Sequence, residues 1–163
     1  METLTDNPPF VPVEEQARRE IESLVARARS AQAAIEAYTQ EEADALAISV
    51  GWQVYKSREA LSKLAVEEGG LGNVPDKITK IALRVLGTLA DMASVKTCGI
   101  VEEDAARGLI KIAKPVGVIA ALIPTTGPDA TPPIKALAAL EARNASLFRR
   151  IPGPEKHSRQ WSR

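Results

Sequence analysis

Lys111-Ile112-Ala113-Lys114-Pro115-Val116-Gly117-Val118-Ile119-Ala120-Ala121-Leu122-Ile123-Pro124-Thr125-Thr126 is the stretch that decides the fold. Val116 to Ile123 is an unbroken apolar run, which predicts a strand covered on both faces of a parallel sheet. Pro124-Thr125-Thr126-Gly127-Pro128 predicts a turn. Beyond it, Ile134, Leu137, Ala138 and Leu140 recur at helical spacing, so a helix is expected to about Arg143, capped by Asp129 or Thr131. Asn144-Ala145-Ser146-Leu147-Phe148 then opens a second buried strand. Strand, turn, helix and strand make one βαβ unit. Two parallel strands need further strands beside them, so the core is expected to be unfinished, with a tendency to aggregate.

Working upstream, Val95 to Val101 and Gly108 to Ala113 predict two strands around an acidic turn, Glu102-Glu103-Asp104. Before them the period is helical. A first helix is expected from Val13 to about Ala37, with Ile21, Leu24, Val25, Ala28 and Ile35 on one face. Thr39 and Glu42 have capping-box spacing, opening a second helix from Gln40 to Glu67. Its inward stripe is Ala43, Leu46, Ala47, Val50, Val54, Leu61, Leu64 and Ala65. Gly69-Gly70 stops it, and a third helix starts near Pro75, burying Ile78, Ile81, Ala82, Val85, Leu86 and Leu89. Gly69-Gly70-Leu71-Gly72 follows a helix and lacks dinucleotide-loop spacing, so it is a cap and turn.

With 163 residues the chain is long enough for one domain, and a globule of this size buries roughly 70% of its unfolded surface. Its 21 basic and 21 acidic residues cancel, which argues against a nucleic-acid binder acting through overall charge. No apolar run approaches the ~20 residues of a membrane span. The single cysteine, Cys98, cannot form an internal disulfide, which makes the cytoplasm the expected compartment. The single histidine, His157, excludes a His-based metal cluster. The charge is uneven: residues 149–163 hold Arg149, Arg150, Lys156, Arg159 and Arg163 against Glu155 alone. A tail of that kind is expected to be solvated, as is Lys135 on the βαβ helix.

Lys111 to Thr126, supported by Ile134-Lys135-Ala136-Leu137, Ala142-Arg143-Asn144-Ala145, Gly69 to Lys77 and Val95 to Ile100, resembles the aldehyde dehydrogenase superfamily. The resemblance is closest to the N-terminal part of its CoA-acylating branch and covers about Val13 to Phe148. It implies an α/β fold: three N-terminal helices, a β-hairpin arm and the first βαβ unit of a Rossmann cofactor domain, cut short. The division expected is a flexible 1–12, a helical part 13–94, a hairpin oligomerisation arm 95–114, a Rossmann start 115–148 and a basic tail 149–163. Cofactor contacts are implied for Ile123, Pro124, Thr125 and Thr126, near the nicotinamide ribose of NAD or NADP. Aldehyde and CoA are the implied partners, with a homo-oligomer formed through the arm.

The chemistry implied is attack of a cysteine thiolate on the aldehyde, hydride transfer to NAD(P)+ and release of the acyl group to CoA. Cys98 does not match the family's nucleophile and is read as a small packing residue, with Lys96 the one basic neighbour in sequence. Acylating members carry Asn where this chain has Gly127, so a side-chain donor to the oxyanion is missing there. The chain is therefore expected to be a truncated, inactive portion. The alternative is a non-enzymatic module that docks on a full-length dehydrogenase. The tail suggests how truncation arose. With both arginines as CGC, Ile151 as ATC, Pro152 and Pro154 as CCC and Gly153 as GGG, reading one base earlier gives Pro-His-Pro-Arg-Ala, as the acylating branch has here. A frameshift near Phe148 is the resulting hypothesis, and a genuine short paralogue with a disordered basic extension is the alternative; a locus with no dehydrogenase remainder in another frame refutes the frameshift.

Overall fold

The computed structural model describes residues 15–150. Expectations for residues 1–12 and for the tail from Ile151 onward, including the reading-frame hypothesis, lie outside the described residues. The elements are α1 (Glu15–Ile35), α2 (Gln40–Lys56), α3 (Arg58–Gly69), α4 (Val74–Met92), β1 (Gly99–Asp104), β2 (Leu109–Ala113), β3 (Val118–Ile123), α5 (Thr131–Glu141) and β4 (Ala145–Arg150).

The helix starts follow local chemistry. Glu42 N donates to Thr39 Oγ1 at 3.3 Å and Thr39 N to Glu42 Oε2 at 2.8 Å, closing the expected capping box on α2. Gly70, at φ 64°, ends α3 in the left-handed conformation that glycine takes without strain. On α4, Asp76 N donates to Asn73 Oδ1 at 3.0 Å. One helix was expected over 40–67, but the chain bends at Ser57, whose amide is shared between the carbonyls of Gln53 and Val54. Arg58 sits 4.3 Å from the Tyr55 ring and donates to the Tyr55 carbonyl at 2.8 Å, holding the bend. The bend turns Leu64 outward, and Leu86 is likewise exposed on α4.

Ala47, Ile81, Val85, Ala130 and Leu137 form the core where α2, α4 and α5 meet. Gly51 lets these helices approach: a Cβ there would lie 2.8 Å from Leu89 Cδ1. α1 crosses β4 and β3 and buries Ala28, while Ile21 and Leu24 stay exposed.

β3 and β4 are parallel, in register from Val118 opposite Ala145 to Ile123 opposite Arg150. With α5 between them they form the expected βαβ unit. The strand was expected to be covered on both faces, yet Ala121 and Ile123 are buried while Ala120 and Leu122 are exposed. The second strand, expected to open over Asn144 to Phe148, runs from Ala145 through Arg150. β1 and β2 form an antiparallel hairpin, with a register shift between Ile100 and Glu102. The acidic residues 102–104, expected as its turn, belong to β1; the bend falls at 105–108. Gly108 supplies its positive φ of 65°, and Arg107 N donates to Asp104 Oδ1 at 3.1 Å. Val95 to Cys98, expected as strand, precede β1; the Thr97 and Cys98 amides donate to Gln40 of α2, and Val95 N to the Met92 carbonyl of α4.

Candidate functional site

Open α/β units bind ligands at the carboxyl ends of their parallel strands. Here that end of β3 carries the turn 124–128. Ile123 is buried beneath it, Pro124 and Thr125 are half-buried, and Thr126 is exposed. Gly127 N donates to the Pro124 carbonyl at 3.2 Å and closes the turn. Thr131 N donates to the Gly127 carbonyl at 3.2 Å and launches α5. A Cβ on Gly127 would lie 2.9 Å from Thr131 Oγ1, so this turn has no room for a side chain unless Thr131 moves.

Neither Asp129 nor Thr131 caps α5; the N-cap is Ala130, without a side-chain hydrogen bond. Asp129 is drawn away by α4. Lys80 Nζ donates to its Oδ1 at 2.9 Å, and Lys77 Nζ lies 3.5 Å from Oδ2. Burial acts to raise the Asp129 pKa, but the Lys80 hydrogen bond, the backbone and both ammonium charges outweigh it and hold the carboxyl below its usual value. Lys77 gave one sequence signal: it lies four and eight residues before Ile81 and Val85, on the buried stripe. A lysine there needs an acidic partner. Beside Pro128 and Asp129 a cavity of about 140 Å³ opens toward Leu61, Leu64, Ala65 and Arg150; Thr125 and Thr126 do not line it.

A second polar cluster lies at the root of the hairpin. Gln40 Nε2 donates to Asp44 Oδ1 at 2.6 Å, Thr97 Oγ1 at 3.0 Å and Glu141 Oε1 at 3.2 Å. Its Oε1 accepts from the amides of Thr97 and Cys98. Burial, then hydrogen bonding with and the charge of Asp44, raise the Glu141 pKa to about 7. Cys98 is buried here, its sulfur 3.8 Å from the Glu141 carbonyl oxygen, which suits the packing role expected of it. At the same root, where Ala113 pairs with Gly99, Arg143 Nη2 donates to the Ala113 carbonyl at 3.3 Å and Nη1 to that of Glu36 at 2.8 Å. Asn144 Oδ1 accepts from Gly117 N at 2.9 Å, tying the lead-in of β3 to β4. The Arg-Asn pair of the resemblance is thus a structural joint.

The fold is that of an α/β protein with one parallel βαβ unit, whose first strand ends in the turn 124–128. No family model matches the chain. It is 45% identical over 128 residues to a sulfoacetaldehyde dehydrogenase from Acholeplasma, covering 77% of this chain and 26% of that protein. It is 38% identical over 138 residues to an acetylating succinate-semialdehyde dehydrogenase from Clostridium kluyveri, covering 85% and 30%. The crystal structure of an acetylating aldehyde dehydrogenase from Geobacillus thermoglucosidasius superposes with a TM-score of 0.80 at 36% identity, covering 84% of this chain and 30% of that one. The chain is a homologue of the acylating aldehyde dehydrogenases. It spans less than a third of the length of these relatives.

Proposed function

We propose that this chain is a cofactor-domain portion of an NAD(P)-dependent, CoA-acylating aldehyde dehydrogenase. The observation that carries this reading is the turn 124–128 at the carboxyl end of β3, in a chain whose relatives are acylating aldehyde dehydrogenases. Ile123 seats the turn, and Pro124, Thr125 and Thr126 offer backbone groups and hydroxyls, uncharged contacts that suit a nicotinamide ribose. The cofactor supplies the hydride acceptor. This chain's residues would bind and orient it. An aldehyde and CoA are the substrates on this reading, and the two relatives above make anionic short aldehydes the first to try.

The chain alone supplies no nucleophile, because its one cysteine is packed against the Glu141 carbonyl at the hairpin root. It is therefore expected to be inactive by itself and to reside in a reducing compartment such as the cytoplasm. The purified chain should bind NAD+ or NADP+ at the Thr125 and Thr126 amides, and give no acyl-CoA with CoA and sulfoacetaldehyde or succinate semialdehyde. Thioester formation by the isolated chain refutes inactivity; no perturbation of the turn by either cofactor refutes the binding role.

One observation favours a second reading, a module that docks on dehydrogenase subunits or on its own copies. Ile100, Ile110 and Ile112 are each about half exposed on the hairpin. Ile100 faces Ile112 across the strands, which makes the arm a ready apolar contact. Co-purification with a full-length homologue, lost on Ile110→Lys, supports that reading.

A further inference from the structure

We propose that Asp129 is a positioning residue that clamps the 124–128 turn onto α4 through Lys77 and Lys80. This rests on the reading that the turn meets the cofactor. The turn's own hydrogen bonds, Gly127 N to Pro124 O and Thr131 N to Gly127 O, set its shape but do not anchor it to the helical body. The start of α5 has no side-chain cap, though its N-cap residue Ala130 packs into the core beside Ile81 and Val85. Asp129 adds a polar anchor to that apolar one. Its side chain is fully buried, and the Lys77 side chain is only 7% exposed.

A buried carboxylate and a buried ammonium are each costly alone and tolerable together. The two come from elements about fifty residues apart, with Lys80, on the same face of α4, donating the hydrogen bond. The charges are paired only when the turn lies against α4, with Asp129 Oδ2 held by the two ammonium charges rather than by a hydrogen bond. Any displacement of the turn strands one or both. The pair therefore selects one location for Thr125 and Thr126. Lys80, with 36% of its side chain exposed, closes the clamp from the solvent side.

Amide hydrogen exchange on the full chain tests the clamp. In Asp129→Asn the amides of Gly127 and Thr131 should exchange about tenfold faster, while those of Ala47 and Ile81 in the core keep their wild-type rates. Lys80→Met should give a smaller acceleration at the same two amides, and Lys80→Arg should restore protection. Unchanged turn amides in both Asp129→Asn and Lys80→Met, or equal acceleration of the core, overturn the proposal. If Asp129→Asn does not fold, the Lys80 pair decides: acceleration in Met with recovery in Arg upholds the clamp, and no acceleration sinks it. Titration with NAD+ and NADP+ separates the two ideas. A wild-type turn that neither cofactor perturbs, together with a loosened Lys80→Met turn, overturns the cofactor role and leaves the clamp standing.

Discussion

Single residues decide how closely the elements approach. Gly51 is the clearest case, because a Cβ there would sit 2.8 Å from Leu89 Cδ1 and 3.4 Å from Leu137 Cδ2. Gly51→Ala sets overpacking against the Leu89 and Leu137 side chains, about 1–3 kcal/mol, against a helix-propensity gain of about 1 kcal/mol, so the urea midpoint should fall modestly. Gly127 makes the matching case at the turn. Gly127→Asn, which would supply a side-chain amide, should lower the Tm, and adding Thr131→Ala should recover most of the loss by removing Oγ1 from its path. A double variant no more stable than the single one contradicts this. The glycine was visible in the sequence as a missing donor, but the steric reason for keeping it was not. Thr131 closes in only once α5 turns back over the loop.

Elements are joined by buried polar groups, and one joint titrates. Glu141 has a folded pKa of about 7 against an ordinary value of 4.5, so the folded state holds a proton that the unfolded state releases. Stability is greatest below the unfolded pKa and falls as pH rises from about 4.5 to about 7. Glu141→Gln should flatten that slope in denaturation series at stepped pH; a slope that survives the substitution refutes the assignment. Local sequence signals were reliable where they act locally. Thr39 with Glu42, and Gly70, end or start helices as their chemistry requires. They did not reveal the bend at Ser57, which depends on Arg58 reaching the Tyr55 ring. The hairpin turn was misplaced onto Glu102 to Asp104 because charge suggested a loop. Gly108, with its positive φ, is what bends the chain.

Over the whole molecule, polar and apolar surfaces divide unevenly. Leu122 is 61% exposed on β3, Phe148 is 44% exposed on β4, and the hairpin adds its isoleucines. The chain should therefore self-associate at micromolar concentration. Light scattering should detect it, and Ile110→Lys with Ile112→Lys should reduce it; a monodisperse wild-type monomer would contradict the expectation. The βαβ unit was legible because apolar runs, turn prolines and helical spacing are written locally. The one-sided covering of β3 was not, since an apolar run does not reveal how much protein lies on either side.

The packing of α1 on β4 also sets an order of events. The first described helix finds its main support on the last described strand, and Gln32 Nε2 reaches the Arg143 carbonyl across 111 positions. During synthesis at roughly 5–20 residues per second, α1 must wait on the order of ten seconds before β4 exists. Its face of Val25 and Ala28 stays open for that interval, available to any chaperone at the ribosome.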